Sequence, residues 1–229
     1  MKYNAVIFDL FGTLVDIYST REYEHVLSEM AAALCADRES FARVWFGTLT
    51  LRVTGALPTV EATVKYICQT LGVPSDAVQT AEAAEIRLAF TRRALAPRRD
   101  AVATLAALKA AGRKTGLISD CSAEVPLLWP QTPFAPLVDV PVFSCVAGFR
   151  KPDPRIYRLA CDGLGVAPQS CLYVGDGNSG ELAGATKAGM SAVLIRAPYE
   201  DPEDSYRPEE ETWDGPAISA LEDVLTLVE

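Results

Sequence analysis

Short β-prone runs recur at residues 3–8, 114–118, 140–145, 171–174 and 191–195, and helical periodicity fills the spaces between the later ones. Val102, Leu105 and Leu108 repeat at helical spacing before Gly112. Ile156, Leu159 and Leu164 do the same before Gly165, each glycine marking a C-terminal stop. From about residue 97 onward the order is therefore βαβα. That alternation predicts an α/β fold: a parallel sheet with right-handed crossovers, helices on both faces, and ligands bound beyond the carboxyl ends of the strands.

Between Asp16 and Ala96 no strand pattern stands out, and four helices are expected in succession, at His25–Leu34, Phe41–Leu51, Val60–Leu71 and Ala77–Leu95. Val60, Val64, Ile67 and Leu71 form one apolar stripe that Gly72-Val73-Pro74 ends, so a small bundle inserted after the first strand is the economical reading. Pro97 begins the return. Pro198 to Pro216 reads as an irregular surface segment before a last amphipathic helix, Ala217–Val228.

Composition narrows the class. The 229 residues are 49% hydrophobic and 22% charged, which suits one ordinary α/β domain with a modest insertion. The six cysteines form no C-x-x-C pair and have no partnering histidines, so neither a zinc site nor a redox motif is spelled out. Net charge is −9, but Glu200 to Asp214 holds eight acids against Arg207, so the acidity is local. That balance disfavours nucleic acid and anionic membrane as partners, and no apolar run approaches a membrane span. A soluble cytoplasmic protein is expected. The single histidine, His25, is a poor basis for a histidine-dependent mechanism.

Carboxylates and cations stand where strands end. Asp9 closes the first run in Phe8-Asp9-Leu10-Phe11-Gly12-Thr13, Ser119 follows the run at 114–118, Lys151 precedes Pro152, and Asp176 follows the run at 171–174, five residues before Glu181. Taken alone, the Asp9 segment also reads as an Asp-led turn. Gly175, Gly177 and Gly180 match a dinucleotide-binding spacing, but Asp176 would set a negative charge inside the pyrophosphate loop, and Ile195 leads into Arg196 rather than a ribose-binding acid.

The four segments, in this chain order, resemble the haloacid dehalogenase superfamily of hydrolases. The resemblance implies a Rossmann-like, doubly wound core at residues 1–15 and 97–229 with a helical cap at 16–96. It implies that Asp9 is a nucleophile, that Thr13 and Ser119 donate hydrogen bonds to the substrate, and that Lys151 offsets charge. Phe11, Gly12 and Asp120 border the substrate, with the Asp120 backbone N–H toward the phosphate. Mg²⁺ is the implied cofactor, held by Asp9, the Phe11 carbonyl and Asp176, with Glu181 on a bound water. A small phosphorylated metabolite is the implied substrate and partner; no oligomeric state is implied.

One position departs from the phosphatase pattern: Phe11 stands where the usual second aspartate, a general acid, would be. Such an acid contributes about 10²–10⁴ in rate when a poor leaving group must be protonated. The 2-haloacid dehalogenases of the superfamily carry an aromatic there and need no metal, which makes dehalogenation the alternative. Against it, Phe46 occupies the place of their halide-stabilising arginine, with Arg43 and Arg52 as the nearby substitutes, and Asp176 keeps a metal-binding carboxylate. Lys65, the only lysine of the insertion, offers a weak comparison with phosphonate hydrolases, and a scaffold that has lost turnover is a further alternative. Cys121 is read as a buried thiol, Asn178 as a loop or helix-capping residue, and Tyr157 as packing. Trp45, Phe46, Trp129 and Trp213 are read as core or interdomain fillers rather than a substrate pocket.

Overall fold

A computed structural model describes residues 3–228; Met1, Lys2 and Glu229, which the expected core range takes in, lie outside the described residues. Six parallel strands, β1 (Ala5–Phe8), β2 (Lys114–Ser119), β3 (Val140–Phe143), β4 (Cys171–Gly175), β5 (Ser191–Ile195) and β6 (Ala217–Ile218), form one sheet in the order β3-β2-β1-β4-β5-β6. The chain builds outward from β1 in one direction, then restarts at β4 and builds in the other. The carboxyl ends of β1 and β4 therefore flank the point where connections diverge, which is where open α/β sheets leave a crevice.

Alternation along the central strands explains why both faces need helices. Val6 and Phe8 of β1 join Leu172 and Val174 of β4 in one core, packed with α6 (Ala101–Ala110) and α11 (Asp223–Leu227). Ala5 and Ile7 join Cys171 and Tyr173 on the opposite face, against α9 (Pro154–Leu164) and α10 (Glu181–Lys187). The short α7 (Glu124–Leu128) and α8 (Ser144–Ala147) follow β2 and β3.

The helical insert holds α1 (Thr20–Ala33), α2 (Arg38–Gly47), α3 (Leu49–Val53), α4 (Val60–Leu71) and α5 (Ala77–Ala94). Ser19, Asp37, Thr59 and Asp76 each accept a first-turn N–H at a helix start, and Gln79 completes a capping box with Asp76. Tyr23, Leu27, Met30, Phe41, Trp45, Val64, Ile67 and Phe90 give the insert its own core. Val15 bridges Pro97, so the chain leaves for the insert and returns from it at neighbouring positions.

Two expectations fail. The single helix over Phe41–Leu51 is two, because Thr48 (ψ 4°) breaks the run while its hydroxyl donates to the Trp45 carbonyl at 2.7 Å. The helix over Ala217–Val228 is instead the edge strand β6 followed by α11. The open edge of β5 takes up the segment through Leu194 N–H to the Pro216 carbonyl and Arg196 N–H to the Ile218 carbonyl.

The segment between β5 and β6 is irregular, as expected, but it is laid across the carboxyl ends of the strands. The Thr20 N–H donates to the Asp204 carbonyl, the Tyr206 N–H to the Tyr18 carbonyl, and the Ser179 N–H to the Glu209 carbonyl. It thus ties the start of the insert to the loop after β4.

Candidate active site

Asp9, one residue past β1, is buried, and its neighbours come from two loops distant in sequence. Lys151 Nζ donates to Asp9 Oδ1 at 2.6 Å and to Glu181 Oε2 at 2.5 Å. Glu181, fully buried, also accepts from the Tyr173 hydroxyl at 2.8 Å and, through Oε1, from the Gly177 N–H at 2.9 Å. Tyr157 donates its hydroxyl to the Glu181 carbonyl at 2.9 Å, so its packing role extends to fixing that residue. Thr13 Oγ1 lies 3.4 Å from Asp9 Oδ2.

Two glycines make the crowding possible. At Gly12, whose φ of +79° suits glycine, a Cβ would fall 2.3 Å from Asp176 Oδ2; at Gly175 it would fall 2.2 Å from Glu181 Oε1. The loops after β1 and β4 therefore meet backbone to carboxylate, and one oxygen each of Asp9, Asp176 and Glu181 lies within 4.8 Å of the others.

Concentrating acids out of water perturbs them. Burial raises the Asp9 carboxyl and Asp176 raises it further, while Lys151 opposes both, leaving it pushed up to about 6. Burial and the Asp9 charge hold Glu181 well above the carboxylate range, and Lys151, between the two acids, sits above its ordinary value despite burial. Asp176 has a different counter-ion. Arg207 Nε donates to Asp176 Oδ2 at 2.7 Å, and Arg196 donates to the Asp176 carbonyl. Arg207 also pairs with Glu200, Glu200 with Arg98, and Arg98 with Asp16, a chain of alternating charges from the strand ends to the start of the insert.

Three clustered carboxylates are the kind of oxygen donors a hard divalent ion takes, so the residues fit Mg²⁺ in kind. The acids already have protein partners, however: Lys151 for Asp9 and Glu181, Arg207 for Asp176.

Above Asp9 is a cavity of about 110 Å³ whose wall includes Asp9, Phe11, Asp120, Lys151 and Asp176. Gly12, Thr13, Ser119 and Glu181 stand behind that wall. Asp120 Oδ1 accepts the Lys151 N–H at 3.0 Å, while its Oδ2 is buried without a hydrogen-bond partner, and burial raises the carboxyl. The Phe11 ring packs on Tyr18, centroids 4.5 Å apart. Cys121 lines the cavity as a buried thiol that burial pushes up. Asn178 caps no helix: α10 starts beyond Gly180, and Glu211 accepts from its Leu182 and Ala183 N–H groups. Asn178 instead accepts the Glu209 N–H, holding the crossing segment to the loop.

The side of the cavity formed by the insert carries Arg52, one of the two substitutes weighed for a halide-stabilising arginine, and Arg87, not singled out from the sequence. Arg87 of α5 is buried and donates through Nε to Glu124 Oε1 at 2.8 Å. Arg52 of α3 is buried beside it, its guanidinium 4.4 Å from the Trp45 ring centroid. Arg43 is exposed and bonded to Ser40, Lys65 is exposed, and Phe46 stacks on Tyr23, so none of the three lines the cavity. Trp45 and Trp129 are core residues. A signal for Arg87 existed: it falls on the Ala83, Ala84, Arg87, Phe90, Thr91 stripe that faces inward. Arg207, the one base among the acids of 200–214, was equally visible.

Known proteins resemble this chain in sequence and in fold. A family model described as haloacid dehalogenase-like hydrolase matches residues 3–189. The (S)-2-haloacid dehalogenase 4A of Burkholderia cepacia is 28% identical over 211 residues, 89% of this chain and 87% of that one. Glyceraldehyde 3-phosphate phosphatase of Methanopyrus kandleri is 43% identical over only 63 residues, 27% of each chain. In three dimensions, a 2-haloacid dehalogenase from Pseudomonas syringae pv. Tomato DC3000 superposes with a TM-score of 0.70 at 22% identity, covering 99% of this chain and 98% of the other.

Proposed function

Because the chain belongs to the haloacid dehalogenase-like hydrolases, we propose that it hydrolyses a small organic acid through a covalent ester on Asp9, expelling a leaving group that departs as a stable anion. The observation that carries this reading is Phe11. Its ring lines the cavity two residues beyond the nucleophile, where a proton donor would assist an alkoxide, so a leaving group that needs no proton is favoured. Halide is such a group, and the relative aligned along most of the chain is a 2-haloacid dehalogenase.

In the first step Asp9 Oδ2, whose partner Thr13 is 3.4 Å away, attacks the carbon bearing the halogen. The C–O bond forms as the C–halogen bond breaks, and the halide leaves with the electron pair. Lys151 holds Oδ1 and fixes the carboxylate plane. In the second step water adds to the Asp9 carboxyl carbon, the ester opens, and the hydroxy acid departs. In this reading Asp120, a residue of the same wall whose Oδ2 has no hydrogen-bond partner, would take the water proton.

A second reading, Mg²⁺-dependent hydrolysis of a small phosphorylated compound, is favoured by the cluster of Asp9, Asp176 and Glu181. Asp9, Asp176 and the Phe11 carbonyl would hold the ion, which supplies neutralisation of phosphoryl oxygens when bound. Thr13, Ser119 and Lys151 would then serve the phosphoryl group by hydrogen bonds and charge. Acyl phosphates and aryl esters, which leave without a strong acid, would react best.

One panel separates the two. Wild type and Asp9→Asn are assayed on 2-chloropropionate, bromoacetate, acetyl phosphate and p-nitrophenyl phosphate, each with Mg²⁺ or EDTA. Halide release that resists EDTA and vanishes in Asp9→Asn supports displacement at carbon. Phosphate release that requires Mg²⁺ supports the second reading, and silence from a folded protein removes both.

A further inference from the structure

Two guanidinium groups are buried on the insert side of the cavity, and their charges are not balanced there. Arg52 and Arg87 face a single neighbouring acid, Glu124, which accepts from Arg87 and from Ser122 through the same oxygen. All hydrogen bonds of Arg52 go to neutral oxygens: Thr48 Oγ1 at 3.3 Å, Ser122 Oγ at 3.5 Å and the Trp45 carbonyl at 3.2 Å. No ion pair to Arg52 is found among the described residues. Arg87 keeps a further nitrogen, Nη1, buried without a hydrogen-bond partner. One positive charge is therefore left over in a water-poor wall, an arrangement that costs stability unless an anion joins it.

The same surplus acts on a neighbour. Burial alone would raise the Tyr23 phenol, yet Arg87 and Arg52, together with the hydrogen bond from the Trp45 indole, hold the group below its ordinary value. Tyr23, Arg52 and Arg87 all line the cavity that Asp9 opens into. Its opposite side carries the acids, so an anionic group entering it is drawn toward the insert.

We propose that Arg52 and Arg87 form the receptor for the substrate's carboxylate, the group that does not react, and so select small organic acids over neutral analogues. This rests on the reading of the Asp9 cavity as the substrate site. Guanidinium forks match a flat oxoanion through paired hydrogen bonds, which favours a carboxylate over a spherical ion. Both groups are backed by the Trp45 ring, 4.4 Å from Arg52 and 5.3 Å from Arg87, which fixes their planes. Arg87 additionally spans the insert and the core through Glu124. A role confined to that latch would confer no preference for charge, so the two roles have separate signatures.

The test is binding, not turnover. Lactate and its neutral isostere lactamide are titrated by calorimetry into wild type, Arg52→Met, Arg52→Lys and Asp9→Asn, with circular dichroism as the check of fold. Wild type is expected to bind lactate at least about tenfold more tightly than lactamide. Arg52→Met is expected to lose most of that preference, and Arg52→Lys to keep part of it. Equal binding of the two compounds by wild type overturns the proposal with no variant needed, as does an unchanged preference in folded Arg52→Met. Asp9→Asn keeps the two claims apart. A variant that keeps the lactate preference while wild type shows no halide or phosphate release supports the receptor and sinks the reading of Asp9 as nucleophile. Halide release by a wild type without the preference does the reverse.

Discussion

The two sides of the cavity bury charge in opposite proportions. On the strand-end side three carboxylates, Asp9, Asp176 and Glu181, are met by Lys151 and Arg207; on the insert side two guanidiniums, Arg52 and Arg87, are met by Glu124 alone. Each of these three acids has a cation within 2.7 Å, so removing a cation there strands a charge. On the second side one cation already lacks a counter-charge, so removing it relieves as much as it breaks. The first arrangement fixes geometry for chemistry, while the second holds attraction in reserve for a ligand.

The largest effect belongs to the nucleophile. Asp9→Asn is expected to lower turnover by roughly 10⁴-fold or more on whichever substrate the panel identifies, with the fold intact. Activity near that of wild type would remove Asp9 from the chemistry.

Next comes the contrast in stability. Lys151→Met leaves Asp9 and Glu181 buried side by side and is expected to cost about 3–5 kcal/mol in urea unfolding. Arg52→Met is expected to stay within about 1 kcal/mol of wild type, because its lost hydrogen bonds are offset by removal of the surplus charge. Equal costs for the two would erase the difference between the sides.

The pH dependence follows from Asp9, whose carboxyl is raised from 3.8 to about 6 in the folded chain. An ionised nucleophile is needed, so the rate is expected to fall about tenfold per unit as pH drops below 6. For stability the sign is opposite. The folded state holds this proton more tightly than the unfolded one, so the Asp9 contribution declines as pH rises from about 4 to about 6 and stays low above that. The melting temperature of Asp9→Asn should therefore gain on that of wild type across that window; a constant difference would contradict the raised carboxyl.

The smallest expected change concerns Arg207. Replacing it in Arg207→Gln frees Asp176 Oδ2, and Mg²⁺ affinity measured by calorimetry is expected to rise several-fold to about tenfold. An unaltered affinity would mean that Arg207 does not compete for that oxygen.

Much of this was legible in the chain because strand ends announce themselves. Buried parallel strands read as apolar runs, and the polar residues that stop them, Asp9, Ser119 and Asp176, are delivered to one edge by the topology alone. The helices of the insert were legible from periodicity, although α1 and α2 begin earlier than apolar spacing suggests, because Ser19 and Asp37 cap them. The last helix was misjudged because Ile218, Leu221 and Val224 fit an amphipathic spacing equally well; the unfilled edge of β5 decides the matter. The pairing of Arg207 with Asp176 and of Arg87 with Glu124 was not legible, since partners 31 and 37 residues apart meet only through tertiary packing.

The family model matches residues 3–189, and Arg207, Glu209 and Glu211 reach back from beyond it to touch Asp176, Asn178 and the first turn of α10. Residues beyond that match thus set the charge around Asp176 and the anchoring of the loop after β4. Exchanging residues 200–214 alone, with each strand and helix before them untouched, would therefore change what Asp176 can offer a ligand.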